Sequence, residues 1–206
     1  MTAASASSDR PRRLGIFGGT FDPPHVGHLV TAVNVRHELG LDEVLLVVNN
    51  QPWQKVGTRE ITPAEDRFAL VQAAVGGVVG LAASRIELER GGMSYTADTL
   101  LELAKVEPDA ELFVILGADA ADALTTWEQA DAVRDLATVV VVDRPGSRAA
   151  TPLPGWSWQR VEVPRLEVSS TDLRARVVDG RPLDYLLPAG VIAAIHARGL
   201  YRDGER

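Results

Sequence analysis

Two histidines, His25 and His28, follow a glycine pair and a Pro-Pro dipeptide in the stretch Leu14-Gly15-Ile16-Phe17-Gly18-Gly19-Thr20-Phe21-Asp22-Pro23-Pro24-His25-Val26-Gly27-His28-Leu29. At i and i+3 the two imidazoles share one face once a helix has begun. From there they can donate hydrogen bonds to phosphate oxygens and stabilise charge that grows in a transition state. The apolar run before Gly18 reads as a strand, and Thr20 to His28 then aims amide donors and the positive end of the following helix at an anion. Gly18 and Gly19 are expected to let the backbone approach a ligand and to take φ values closed to other residues. The pattern is neither G-x-G-x-x-G nor a P-loop ending in Gly-Lys-Ser/Thr, which argues against an NAD dehydrogenase and a P-loop ATPase. As a metal site the pair is half a ligand set: the chain holds no cysteine and no third histidine adjoins it, so no protein-held metal is expected.

A second constellation lies far downstream, in Val168-Ser169-Ser170-Thr171-Asp172-Leu173-Arg174. Hydroxyls ahead of a helix are good caps, and an acidic residue suits its first turn. Ser169, Ser170 and Thr171, with Arg174 one turn in, also make a cradle for phosphate. Further polar and aromatic residues gather in Gln51-Pro52-Trp53-Gln54-Lys55, in Gly91-Gly92-Met93-Ser94-Tyr95-Thr96-Ala97-Asp98-Thr99-Leu100, in Leu116-Gly117-Ala118-Asp119 and at Trp127. Taken singly these have structural readings too: Asp119 as a helix cap, Trp127 as core, Thr99 and Leu100 as helix body.

The elements that must carry these residues follow from patterning. Leu14–Phe17, Glu43–Val48, Glu111–Leu116 and Thr138–Val142 are short apolar runs, the signature of strands buried on both faces. Ser84–Leu88 and Arg160–Val163 are two further expected strands. Helices are expected over Gly27–Leu39 with Gly40 beyond its end, from a Thr62 cap and a first-turn Pro63 to about Ala74, and over Tyr95–Lys105, Thr126–Leu136, Ser170–Val178 and Ala189–Arg198. Asn49–Glu60 and Arg144–Trp158 read as loops. Strands alternating with helices predict a Rossmann-like α/β domain: an open parallel sheet, helices on both faces, and a small helical C-terminal addition. Residues 1–13 are expected to be a disordered tail and residues 14–202 one domain. In such sheets ligands bind beyond the carboxyl ends of the strands, and the segments after the strands are those that hold the polar and aromatic residues.

Composition narrows the partners. The 206 residues are 46% hydrophobic and 24% charged, with a net charge of −7, ordinary for a soluble globular protein and opposite to that of most nucleic-acid binders. The absence of cysteine fits a reducing compartment. Met1 to Arg13 has basic residues without an apolar stretch after them, unlike a signal peptide, and no apolar run reaches the length of a membrane span. A cytoplasmic location, no membrane and no nucleic-acid partner are expected; a homo-oligomer is left open.

Gly18-Gly19-Thr20-Phe21-Asp22-Pro23-Pro24-His25-Val26-Gly27-His28 resembles the signature of the nucleotidyltransferase superfamily with the (T/H)xGH motif, as spelled in bacterial nicotinate-nucleotide adenylyltransferases. Ser169 to Arg174 resembles that family's Ile-Ser-Ser-Thr-x-x-Arg motif, Ser94 to Leu100 its Ser-Tyr-Thr-x-Asp-Thr-Leu segment, and Gly117 to Asp119 its Gly-x-Asp element. Trp53-Gln54 and Met93 depart from the commoner spelling. The resemblance covers roughly Leu14 to Tyr201 and implies transfer of the adenylyl group of ATP to nicotinate mononucleotide, with Mg²⁺ accompanying ATP. It implies His25, His28, Lys55 and Arg174 as the catalytic set. Gly18, Gly19, Thr20, Phe21, Ser169, Ser170 and Thr171 would complete the ATP site with the histidines and Arg174. Lys55, Tyr95, Thr96, Asp119 and Trp127 would hold the mononucleotide, Trp127 stacking on the pyridine. Adenylyl transfer to another phosphate acceptor, such as nicotinamide mononucleotide, and a catalytically silent nucleotide-binding module are the alternatives.

Overall fold

Residues 10–52, 61–143 and 154–202 are described by the computed structural model. Its strands are β1 (Arg13–Gly19), β2 (Glu43–Val48), β3 (Leu81–Ser84), β4 (Glu111–Gly117), β5 (Ala137–Asp143) and β6 (Trp158–Glu162), and its helices α1 (Val26–Glu38), α2 (Ala64–Val75), α3 (Ile86–Arg90), α4 (Thr96–Val106), α5 (Ala118–Asp122), α6 (Ala130–Leu136), α7 (Ser170–Asp179) and α8 (Ala189–Arg198). The strands form one sheet in the order β3-β2-β1-β4-β5-β6, every neighbouring pair parallel. The order reverses between β1 and β4, and a doubly wound sheet opens its crevice at that point.

Alternation along each strand feeds two cores. In β5, Val140 and Val142 pack with Val35 of α1 and Phe68 of α2, whereas Val139 and Val141 pack with Leu100 of α4 and Val133 of α6. A third cluster joins Leu70 of α2 to Leu173 of α7 and to Leu187, Val191 and Ile195 around α8. Helices α2 and α8 approach closely, since a Cβ on Gly190 would lie 3.1 Å from the Ala73 carbonyl oxygen. The C-terminal helices are thereby fixed beside α1 and α2, on the side of the sheet where the chain leaves β1.

Four expectations are corrected. Ser84–Leu88 is not a strand: β3 ends at Ser84 and α3 begins at Ile86. The two apolar side chains of Ile86-Glu87-Leu88 reach different cores while Glu87 is buried between them, which mimics strand alternation. The Thr126–Leu136 helix is broken: a 3-10 turn covers Leu124–Thr126, Trp127 is extended, and Gln129 takes a φ of 52° before α6. Thr62 does not cap α2; Pro63 occupies that position without a side-chain bond, and the Thr62 carbonyl instead accepts from Arg67 Nε at 2.7 Å. Finally, the basic cluster Arg10–Arg13, expected to close a tail, is tied to the amino-terminal ends of the central strands β1 and β2. Arg13 opens β1, Arg12 pairs with Glu43, and Arg10 pairs with Asp42, whose carboxyl is held below its usual range by Arg10 and by the Arg13 N–H.

Candidate active site

The chain leaves β1 through Thr20, Phe21, Asp22, Pro23 and Pro24, all buried, and enters α1 behind His25. Neither glycine takes a left-handed conformation, contrary to expectation; that geometry falls on Phe21, at φ 50°. Gly19 makes the turn feasible in another way. A Cβ there would lie 2.9 Å from Phe21 Cζ, so the missing side chain is the space the ring occupies. A Cβ on Gly18 would meet nothing within 4 Å, and its backbone faces the crevice.

Phe21 in turn supports the histidines. Its ring meets Phe17 edge-on at 5.9 Å and His28 at 5.0 Å and 75°, and the His25 and His28 rings lie 3.8 Å apart at 30°. His28 Nδ1 accepts from the His25 backbone N–H at 3.1 Å. A nitrogen that accepts carries no proton, so in neutral His28 the proton is on Nε2 and points away from the helix as a donor. A Cβ on Gly27 would stand 3.0 Å from His25 Nδ1. Gly27→Ala is therefore expected to push the His25 ring off its seat and lower kcat by about 10- to 100-fold, with the thermal midpoint nearly unchanged; steady-state rates beside a melting curve check it.

The second constellation sits on this corner. Ser169 caps α7 as expected, its Oγ accepting from the Asp172 N–H at 3.2 Å. Ser170 Oγ donates to the Pro23 carbonyl at 2.9 Å, and Arg174 Nη1 to the Asp22 carbonyl at 2.8 Å. Thr171 Oγ1 accepts weakly from Arg174 Nη2 at 3.4 Å. Ser170 has thus given its proton to the turn, while the exposed Ser169 and Thr171 hydroxyls accept from the protein and keep their own. Asp172 is held below the usual carboxylate range by Arg176, on the outer side of the helix.

Beside the corner, over the β1–β4 reversal, lies a cleft of about 230 Å³. It is lined by Gly18, Gly19 and Thr20 on one side and by Tyr95, Thr96 and Trp127 on the other. Asp119 is exposed near the start of α5 and is not among the lining residues, although Ala120 is; the short α5 turns its carboxylate outward. Lys55 lies outside the described residues. The helix break described above leaves Trp127 half-buried against the cleft. Its Nε1 and the Ser94 Oγ are buried without a hydrogen-bond partner among the described residues, so both retain donor capacity.

Several participants have no sequence motif of their own. Glu87, 3% exposed, lines the cleft floor and accepts from Asn49 Nδ2 at 3.1 Å and Thr99 Oγ1 at 2.9 Å. Arg67, 1% exposed, donates to the carbonyls of Thr62, Thr20 (2.8 Å) and Asn50 (3.2 Å). The one cue in sequence is a lone arginine on the apolar face of α2.

A family described as cytidylyltransferase-like matches residues 16–176. A protein of Saccharopolyspora erythraea described as "probable nicotinate-nucleotide adenylyltransferase" is 44% identical over 198 residues, covering 95% of this chain and 92% of its own. One of the same description from Streptomyces coelicolor is 46% identical over 186 residues, covering 90% and 98%. Among solved structures, Plasmodium falciparum nicotinic acid mononucleotide adenylyltransferase complexed with NaAD superposes with a TM-score of 0.74, covering 92% and 97% at 16% identity, a likeness of fold. Sequence, sheet order and corner geometry agree: the chain belongs to the cytidylyltransferase-like nucleotidyltransferases, within the nicotinate-nucleotide adenylyltransferases.

Proposed function

We infer that the chain transfers the adenylyl group of ATP to nicotinate mononucleotide, giving nicotinate adenine dinucleotide and pyrophosphate, a step of NAD biosynthesis. The observation that carries this reading is the direct seating of the Ser169–Arg174 helix start on the His25–His28 corner through Arg174–Asp22 and Ser170–Pro23, next to a cleft with an indole on its far wall.

The mononucleotide phosphate is already an anionic nucleophile, so the reaction needs no protein nucleophile or base. An oxygen of that phosphate attacks the α-phosphorus as the bond to pyrophosphate breaks in line. The protein supplies alignment of two polyanions and donors where charge develops. In our assignment His28 Nε2–H and His25 act on the α- and β-phosphates, and the Gly18–Phe21 backbone borders the nucleotide. Ser169, Thr171 and Arg174 hold the triphosphate, while Ser170 braces the turn beneath it. Lys55 is assigned to the substrate phosphates. Tyr95, Thr96 and Trp127 are assigned to the mononucleotide, with Asp119 at the cleft's outer rim.

We assign Mg²⁺ to ATP itself, where it offsets triphosphate charge. Among the described residues no three His, Asp or Glu side chains converge as ligands, and a hard cation of this kind readily keeps phosphate and water oxygens. No helix among the described residues is long and apolar enough to cross a membrane; consumption of ATP supports placing the reaction in the cytoplasm.

Pyrophosphate release from ATP, measured with nicotinate mononucleotide, nicotinamide mononucleotide and phosphopantetheine side by side, tests the reading. The acid mononucleotide is expected to be the fastest acceptor; preference for another acceptor, or no release with any, overturns it. Within this reading Trp127→Ala is expected to raise the KM for the mononucleotide about tenfold, the order of one lost aromatic stack, with the KM for ATP unchanged. Initial rates with each substrate varied in turn check it.

A further inference from the structure

We propose that Asp22 and Tyr201 are positioning residues for ATP, with the Tyr201 hydroxyl reaching back from beyond α8 to fix Asp22 and, through it, the Phe21–His28 corner. Asp22 is 1% exposed and stands between the left-handed Phe21 and Pro23. Tyr201 Oη donates to Asp22 Oδ1 at 2.8 Å. An ionised carboxylate can only accept, so the tyrosine must be the donor. Burial, then the Asp22 charge, pushes the Tyr201 hydroxyl well above its ordinary pKa, which keeps the donor proton in place at any working pH.

Two observations separate this contact from ordinary packing. Tyr201 holds a φ of 61°, a left-handed geometry that costs a bulky residue free energy and persists where surroundings over-determine it. Helix α8 has already ended at Gly199, and the Leu200 N–H returns to the Ile195 carbonyl, so the chain turns twice to bring the ring inward. Second, three polar links join the C-terminal segment to the backbone of the corner: Arg174 donates to the Asp22 carbonyl, Ser170 to that of Pro23, and the Val26 N–H to the Leu186 carbonyl. Tyr201 supplies the side-chain anchor for the same turn. Arg174, which we assign to the triphosphate, shares Asp22 with it, so a shift of Asp22 moves both the loop and that guanidinium.

The proposal rests on the ATP-site reading and predicts a substrate-selective defect. Tyr201→Phe, which removes only the hydroxyl, is expected to lower kcat/KM for ATP by about tenfold, the order of one hydrogen bond to a charged group. The KM for the mononucleotide should stay within about twofold, and the melting temperature within a few degrees of the parent. Asp22→Asn keeps an acceptor for Tyr201 and should fall between the parent and Asp22→Ala. Because Tyr201 acts through Asp22, the double variant Tyr201→Phe/Asp22→Ala should match Asp22→Ala alone; where Asp22→Ala folds poorly, the cycle is run with Asp22→Asn, and coupling again shows as a double variant less damaged than the product of the singles. Unchanged ATP kinetics in Tyr201→Phe, equal loss for both substrates, or fully multiplicative effects would overturn the proposal. Calorimetric titration of ATP into the parent separates it from the underlying reading: a parent that binds no ATP sinks the ATP site itself.

Discussion

His28→Ala is expected to lower kcat by about 10²–10³-fold, the cost of removing one preorganised donor to developing charge. The geometry makes the test sharper than a simple deletion. His28 has two ring nitrogens with separate tasks: Nδ1 accepts from the His25 N–H at 3.1 Å, and the proton left on Nε2 is the one we assign to a phosphate. An asparagine places its carbonyl oxygen where Nδ1 stood and has nothing where Nε2 stood. His28→Asn should therefore retain the helix start and the melting temperature while keeping the full rate loss. His28→Ala should lose the rate and also about 1 kcal/mol of helix-start stability, which amounts to about 2–4 °C in a domain of this size. Rates and melting curves on both variants check the pair. If His28→Ala turned over near the parent rate, the assigned mechanism would be wrong; if His28→Asn melted lower than His28→Ala, the division of tasks between the nitrogens would be.

The second large effect is on folding. Arg67 is 1% exposed and donates to three carbonyls that belong to three separate segments: Thr20 after β1, Asn50 after β2, and Thr62 before α2. Alanine there leaves those carbonyls short of a donor and opens a cavity under the site. A loss of about 3–5 kcal/mol is expected, or roughly 10–15 °C in melting temperature. Arg67→Lys should recover a minority of it, because a single ammonium on a flexible stem cannot reproduce a planar fork that reaches three acceptors. Thermal unfolding of both variants checks this. A loss below about 1 kcal/mol for Arg67→Ala would mean that the three segments hold their places without the clamp.

These two residues also mark where the sequence is legible and where it is not. β2 and α8 have the ends expected of them because their signals are local: an unbroken apolar run in Glu43–Val48, and a proline before and a glycine after Ala189–Arg198. The His25–His28 corner and the Ser169–Arg174 cap are legible for the same reason, each being a short motif whose chemistry depends on its own spacing. Arg67 has no such signal. Its role depends on three carbonyls brought together only by the finished fold, and in sequence it is one basic residue inside a helix. Ser84–Leu88 reads as a strand in sequence because two apolar residues flanking a buried Glu87 produce the same pattern whether they belong to a strand or bridge two cores from a helical turn. Trp127, which lines the cleft, stands out in the sequence as an aromatic, but its backbone geometry does not: the Gln129 left-handed turn that separates it from α6 has no glycine or proline to announce it.

The bonds that bind the corner to the far end of the chain have a consequence in time. Asp22 is made early, and its partner Tyr201 comes 179 residues later. At elongation rates of about 5–20 residues per second, about 9–36 s separate the two during synthesis. The central strands can pair within that interval, but the turn after β1 has to wait for the segment beyond α8 before it acquires the Tyr201 hydrogen bond. A nascent chain can therefore hold a folded sheet before it has a finished catalytic corner, and completion of the site coincides with completion of translation through residue 201.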